Sequence, residues 1–262
     1  TVATYTDISA GQDGRSGFVP SLVVDATNSK LLVATSNGAN SAKPALFRCD
    51  LDGSGCTYTD ISAGQGIDRG WTPSAVIDMT SAKLLVVTDN LYHRPSLFRC
   101  NLDGSGCSYT DISAGQGPGS GYTASAVIDS TNRKLLVATR NASNSGKPAL
   151  FRCNLDGSGC TYTDISAGRG VDSGWSPSAA IDATNGKLLV VTENGANANK
   201  PALFRCHLDG TGCTYTDISV GQGANSGLAP SVVIDMVNGN LLVVTDNGAN
   251  SDKPGLFTVC LQ

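Results

Sequence analysis

The pentapeptide Tyr-Thr-Asp-Ile-Ser recurs five times, beginning at Tyr5, Tyr58, Tyr109, Tyr162 and Tyr215, at intervals of 53, 51, 53 and 53 residues. A unit of this length cannot bury its apolar face alone and must stack on copies of itself. The period therefore restricts the fold to a solenoid, a propeller or an array. No window repeats apolar residues at helical spacing over three turns, which excludes helical repeats. Each copy reads instead as four short strands. In the fourth they are Pro177–Asp182, Lys187–Thr192, Pro201–Cys206 and Cys213–Ser219, runs rich in β-branched and aromatic residues. The turns between them, Asp182–Gly186 and Leu208–Gly212, supply the Asn, Asp and Gly that accept positive φ. Four antiparallel strands per unit, repeated radially, are the blades of a β-propeller. The expected fold is all-β: a five-bladed β-propeller of four-stranded antiparallel blades. It forms a single domain over 1–262, with repeats at about 4–55, 56–106, 107–159, 160–212 and 213–262.

The ends of the chain fit the same scheme. Residues 1–9 carry a fourth strand with no earlier blade to join, and the segment 252–262 carries a third strand with no successor. Pairing the N- and C-terminal strands closes the ring, so 1–9 is expected to complete the last blade and remove two exposed edges.

Eight of nine cysteines form four pairs of identical spacing, each flanking a Leu-Asp-Gly turn. The expected bridges are Cys49–Cys56, Cys100–Cys107, Cys153–Cys160 and Cys206–Cys213, which clamp the hairpin between the third and fourth strands of each blade. Closing so short a loop is worth about 2.5 kcal/mol per bridge in the chain-entropy model. Zinc is the rival use of paired cysteines, but His93 and His207 are the only histidines and neither lies at ligand spacing. Asp50–Gly55 looks like a calcium loop yet lacks the later acidic ligand. Neither a metal nor a cofactor is expected. Cys260 aligns with Cys49, while Ala3 stands where Cys56 does, so Cys260 is expected to be a free thiol in a monomer or the link of a dimer.

Disulfides place the chain in an oxidising, secreted setting. A start at Thr1, already inside the repeat, is what a trimmed mature product would show. The net charge of −4 offers no basic footprint for nucleic acid, and no apolar run is long enough to insert in a membrane.

The units resemble the YWTD repeats of LDL-receptor-type propellers. Asn101–Gly106 (NLDGSG) matches their Leu-Asp-Gly-Ser turn, and Asp78–Asn90 matches the following segment loosely, with Leu85, Val86 and Val87 in place of the aromatics. The likeness implies the propeller topology and, as one function, protein binding. In architecture the chain is also similar to five-bladed lectins of the tachylectin type and to the glycosidases of the same class that cut arabinans and fructans.

Two polar loops per blade are expected on one face. One is glycine-rich and ends on an aromatic: Phe18, Trp71, Tyr122 and Trp175, with Leu228 in the fifth copy. The other opens on Asn37, Asn90, Asn141, Asn194 and Asn247. An aromatic face for a pyranose and amides for its hydroxyls make a sugar site. The alternative is that the aromatics fill gaps between blades and the asparagines form turns. Near-identical copies supply no asymmetric acid–base pair, so no catalytic residue is expected. The expectation is a secreted, multivalent lectin binding glycans or glycoproteins. A protein-binding propeller is the alternative, and a glycoside hydrolase or lyase the less favoured one.

Overall fold

The computed structural model describes residues 5–261. These residues form five consecutive antiparallel sheets, one per repeat, which give the five-bladed β-propeller class expected from the repeats. They fall into two compact units, one ending at Ile112 and the other beginning at Ser113.

The first unit holds two blades. Blade 1 consists of β1 (Phe18–Asp25), β2 (Lys30–Asn37), β3 (Lys43–Asp50) and β4 (Thr57–Asp60), in that order across the sheet. Blade 2 consists of β5 (Trp71–Asp78), β6 (Lys83–Asp89), β7 (Pro95–Asn101) and β8 (Ser108–Asp111). The second unit holds three. Blade 3 comprises β9 (Tyr122–Asp129), β10 (Lys134–Asn141), β11 (Lys147–Asn154) and β12 (Thr161–Asp164). Blade 4 comprises β13 (Trp175–Asp182), β14 (Lys187–Asn194), β15 (Lys200–His207) and β16 (Thr214–Asp217). Blade 5 shows three strands among the described residues: β17 (Leu228–Asp235), β18 (Asn240–Asn247) and β19 (Lys253–Cys260). Residues 1–4 lie outside the described residues and Tyr5–Ile8 hold no strand, so the completing strand expected over 1–9 is not part of these five sheets.

The second strands of blades 1–4 lack polar alternation because both of their faces are buried, whereas in blade 5 Val244 of β18 is exposed. In β14, Leu188 and Val190 pack with Leu136 and Ala138 of blade 3, while Leu189 and Val191 pack with Leu241 and Val243 of blade 5. All four β14 side chains are fully buried, each worth about 1.5–3 kcal/mol relative to exposure. The same packing joins Leu32, Ala34 and Leu46 of blade 1 to Leu84, Val86 and Phe98 of blade 2 in the first unit.

Hydrogen bonds add to this packing between blades of the same unit. The Ser21 Oγ accepts from the Ala75 amide at 2.9 Å, Ser125 from Ala179 at 3.0 Å, and Ser178 from Val232 at 3.2 Å. A second-strand threonine also ties each blade to the loop that precedes it: Thr192 Oγ1 donates to the Ser173 carbonyl at 2.7 Å, and Thr35, Thr88, Thr139 and Thr245 do the same in their copies.

All four expected disulfides are present: Cys49–Cys56, Cys100–Cys107, Cys153–Cys160 and Cys206–Cys213. Cys260 is free and exposed. The first strand, however, starts two residues earlier than the apolar pattern suggests. The aromatic that seemed to end a loop opens the strand, and a bulge follows it: Val19, Thr72, Thr123, Ser176 and Ala229 all take φ between 43° and 50°. No sequence signal marks the bulge, because these residue types rarely adopt positive φ.

Candidate functional site around Glu193

The residue just before the repeated asparagine, near the end of the second strand, is Ser36, Asp89, Arg140, Glu193 or Asp246, depending on the copy. It lies directly across the ladder from the first-strand opener. The pairs are Phe18–Ser36, Trp71–Asp89, Tyr122–Arg140, Trp175–Glu193 and Leu228–Asp246. Five similar backbones thus present four different kinds of side chain at one register, with Asp in two copies. This corrects the expectation that the copies supply no asymmetric set of ionisable groups.

In the second unit the row forms a charged, aromatic cluster. The Arg140 guanidinium lies 3.7 Å over the Trp175 ring and 5.7 Å from the Tyr122 ring. Trp175 Nε1 donates to Asp172 Oδ1 at 3.1 Å. Arg140 Nη2 stands 3.7 Å from the same oxygen, a loose ion pair rather than a hydrogen bond. Half-buried Glu193 lies beside them. Burial pushes its carboxyl above the ordinary glutamate value, outweighing a hydrogen bond from the Ala229 backbone and the charge of Arg140. Ala229 is the bulge residue of blade 5, so the bulge brings a backbone donor to this carboxylate. On that blade Asp246 is exposed.

The first unit carries a different arrangement. Asp89 is 2% exposed and burial raises its pKa, while His93 and Thr72 act against the shift. Its carboxyl accepts from Thr72 Oγ1 at 3.3 Å and meets His93 Nδ1 at 3.1 Å. Both oxygens are engaged, so this is a closed pair rather than a group open to a ligand.

Among the residues expected to bind sugar, the aromatics and the asparagines part company. Phe18, Trp71 and Trp175 are exposed, and Tyr122 is half-buried. The five asparagines are buried. Asn37, Asn141 and Asn194 donate through Nδ2 to the hydroxyls of Tyr58, Tyr162 and Tyr215 at 2.9, 2.9 and 3.1 Å. Asn90 donates to Ser96 Oγ at 3.2 Å. Asn37 and Asn141 also cap a short 3-10 turn by accepting from the amides of Asn40 and Asn144. Asn141 opens an Asn-Ala-Ser sequon, and its amide is spent on these internal bonds.

Beside Asn194 lies a cleft of about 390 Å³ lined by Arg169, Asn197, Tyr215 and Asp217 among others. The Arg169 guanidinium sits 3.6 Å over Tyr215, and Asn197 Nδ2 donates to Asp217 Oδ2 at 2.8 Å. In the other four copies, glutamine stands at the Arg169 position: Gln12, Gln65, Gln116 and Gln222. Among the described residues no group of three or more His, Cys, Asp or Glu side chains could hold a metal ion, and no helix is long and apolar enough to cross a membrane.

No protein-family model matches the chain, and no curated protein matches it in sequence. The YWTD likeness is therefore borne out only in its propeller architecture, and the tachylectin likeness beyond that architecture is not shown. Solved structures do match. An exo-β-1,3-galactanase from Phanerochaete chrysosporium aligns with TM-score 0.58 at 10% identity over 98% of this chain, which spans 62% of that one. An endo-arabinase from Bacteroides thetaiotaomicron aligns with TM-score 0.53 at 14% identity over 99% of both chains. The catalytic domain of a GH62 α-L-arabinofuranosidase from Coprinopsis cinerea aligns with TM-score 0.58 at 12% identity, over 95% of this chain and 93% of its own. TolB proteins share the fold as well. At such identities the likeness establishes the fold. The glycoside hydrolases among these structures speak against the lectin and non-enzyme expectations, while the likeness itself shows the fold alone.

Proposed function

We propose that this chain is an extracellular glycoside hydrolase with Glu193 as its proton donor. The observation that carries the reading is the half-buried Glu193 carboxyl, raised above its ordinary value and set across the ladder from the exposed Trp175. A glycosidase needs two carboxyl groups in unlike surroundings, one holding its proton and one able to act as base or nucleophile. Glu193 fits the first role. Asp246, exposed at the same register of the neighbouring blade, fits the second. In that scheme Glu193 protonates the glycosidic oxygen as its bond to the anomeric carbon breaks, while Asp246 as base takes the proton of the water that bonds to that carbon from the opposite side. Four disulfides suit the extracellular setting in which polymeric glycans are met.

Release of reducing sugar from linear arabinan, β-1,3-galactan and arabinoxylan tests the reading. Glu193→Gln is expected to lower kcat by about 10²–10⁴-fold, the usual worth of a positioned general acid. Absence of release from every polymer, with folded protein at micromolar concentration, overturns it.

A further inference from the structure

We infer that the Glu193 site takes a glycan bearing a carboxylate, a uronic-acid residue, with Arg140 as the group that recognises it. Only the role given to the site as a place of cleavage rests on the hydrolase reading; the recognition stands on Arg140 itself.

An uncharged pyranose stacks on the bare face of an indole. On Trp175 one face is already covered, because the Arg140 guanidinium lies against it at 3.7 Å. A guanidinium held flat on an aromatic ring keeps its N–H edge free, and that edge matches the two oxygens of a carboxylate. Arg140 has little else to satisfy it. Its side chain is 21% exposed, its buried Nε has no partner among the described residues, and Asp172 stays at 3.7 Å with Oδ1 already bonded to Trp175 Nε1. Among the described residues its guanidinium has the loose pair with Asp172 and the charge of Glu193 but no hydrogen bond, which leaves its N–H groups able to take an anion of good geometry.

The site is single despite the five-fold backbone. Ser36, Asp89, Glu193 and Asp246 occupy the corresponding positions, so one copy alone has a cation there. The second outlier points the same way. Arg169 replaces a glutamine found in the other four copies, and it lies in the loop that carries Asp172 and leads into Trp175. Stacked on Tyr215 in the adjoining cleft of about 390 Å³, it offers a second cation to the next residues of a polyanionic chain. That volume lies within the roughly 300–1,000 Å³ typical of small-molecule sites.

Binding of sodium D-galacturonate, D-galactose and methyl galacturonate ester to the full chain, followed by saturation-transfer NMR and calorimetry, tests the inference. Galacturonate is expected to bind at least about ten-fold more tightly than either neutral probe, as loss of a charge-assisted bidentate contact implies. The ester arm needs no variant, so it holds even if an arginine substitution disturbs folding. In folded Arg140→Gln the preference for galacturonate is expected to vanish. Equal binding of the three probes, no galacturonate binding at all, or a preference that survives Arg140→Gln overturns the inference. Polymer cleavage is scored separately on polygalacturonate and on neutral arabinan. Galacturonate preference without any cleavage overturns the hydrolase reading and leaves the carboxylate site standing. Cleavage with no galacturonate preference does the reverse.

Discussion

Arg140 and Trp175 belong to neighbouring blades, and the guanidinium of one rests 3.7 Å from the ring of the other. Arg140 lies at the end of β10 and Trp175 opens β13, so the stack pins the two strand ends that flank the candidate site. Such contacts are worth about 0.5–2 kcal/mol, more as they leave water. Arg140→Ala should lower Tm by roughly 2–4 °C per kcal/mol lost in a chain of this size. The indole should also become more open to acrylamide quenching. The chain has two tryptophans, Trp71 and Trp175, so the measurement belongs in a Trp71→Phe background. Unchanged quenching would mean the stack does not form in solution.

Glu193 makes the same demand on pH for activity and for stability. Its folded carboxyl is raised above the ordinary value, chiefly by burial. The folded state therefore binds the proton more tightly than the unfolded state. Stability from this group is complete below the unfolded pKa and is lost as pH rises through the folded one. Glu193→Gln removes that loss. The variant should melt above the wild type at neutral pH and alongside it below about pH 4, near the ordinary glutamate pKa. Over the same window wild-type kcat/KM should fall with rising pH as the acid gives up its proton. A variant less stable than wild type at pH 7 would contradict the assignment.

The fold was legible because it is written five times. Hairpin turns, four strands per copy and the cysteine pairs at each Leu-Asp-Gly turn need only local chemistry to be read. The site was legible by half. Phe18, Trp71 and Trp175 were found as exposed aromatics, but the asparagines expected beside them point inward. A tyrosine two strands further along the chain accepts the amides of Asn37, Asn141 and Asn194. That partnership is tertiary and leaves no local trace. Glu193 and Arg140 were missed for another reason. Similarity among copies draws attention to what repeats, whereas the ionisable groups of the candidate site stand where Ser36, Asp89, Arg140, Glu193 and Asp246 fail to repeat. An alignment of the five copies read for its differences would have found them.

Gly174 shows how tightly adjacent blades meet. A Cβ placed there would lie 2.2 Å from the Pro148 nitrogen and 2.5 Å from the Lys147 carbonyl carbon, both backbone atoms that cannot swing aside. Gly227 meets Pro201 in the same way one blade later. Gly174→Ala should cost about 1–3 kcal/mol, the usual penalty for overpacking, read as a fall in the denaturant midpoint. Gly168→Ala is the control. Its φ of +76° imposes strain of about 1–2 kcal/mol, but a Cβ there meets nothing within 4 Å. Because both changes are destabilising, the discriminating result comes from a larger side chain. Gly174→Leu should be far worse than Gly174→Ala, whereas Gly168→Leu, not branched at Cβ, should differ little from Gly168→Ala.

Cys260 allows the expected ring closure to be tested chemically. By repeat register it corresponds to Cys49, Cys100, Cys153 and Cys206, each bridged to a partner seven residues later in sequence. The residue in register with those partners is Ala3, which lies outside the described residues. If the first segment completes the last blade, Ala3→Cys places a thiol where every other blade has one. Oxidative refolding of Ala3→Cys should then consume the free thiol of Cys260 and leave a fifth bridge. Two readouts report it: loss of reaction with a thiol reagent, and a non-reducing digest in which the N-terminal peptide stays linked to the one holding Cys260. Joining the chain ends encloses a far longer loop than the hairpin bridges do, which the chain-entropy model values at about 5 kcal/mol or more against 2.5. The melting temperature should rise accordingly. In the unaltered chain, a non-reducing gel separates the two fates of Cys260, a free thiol in a monomer or a bridge between two copies. A reactive Cys260 in oxidised Ala3→Cys, with the four hairpin bridges intact, would mean that the first segment does not pair as the register implies.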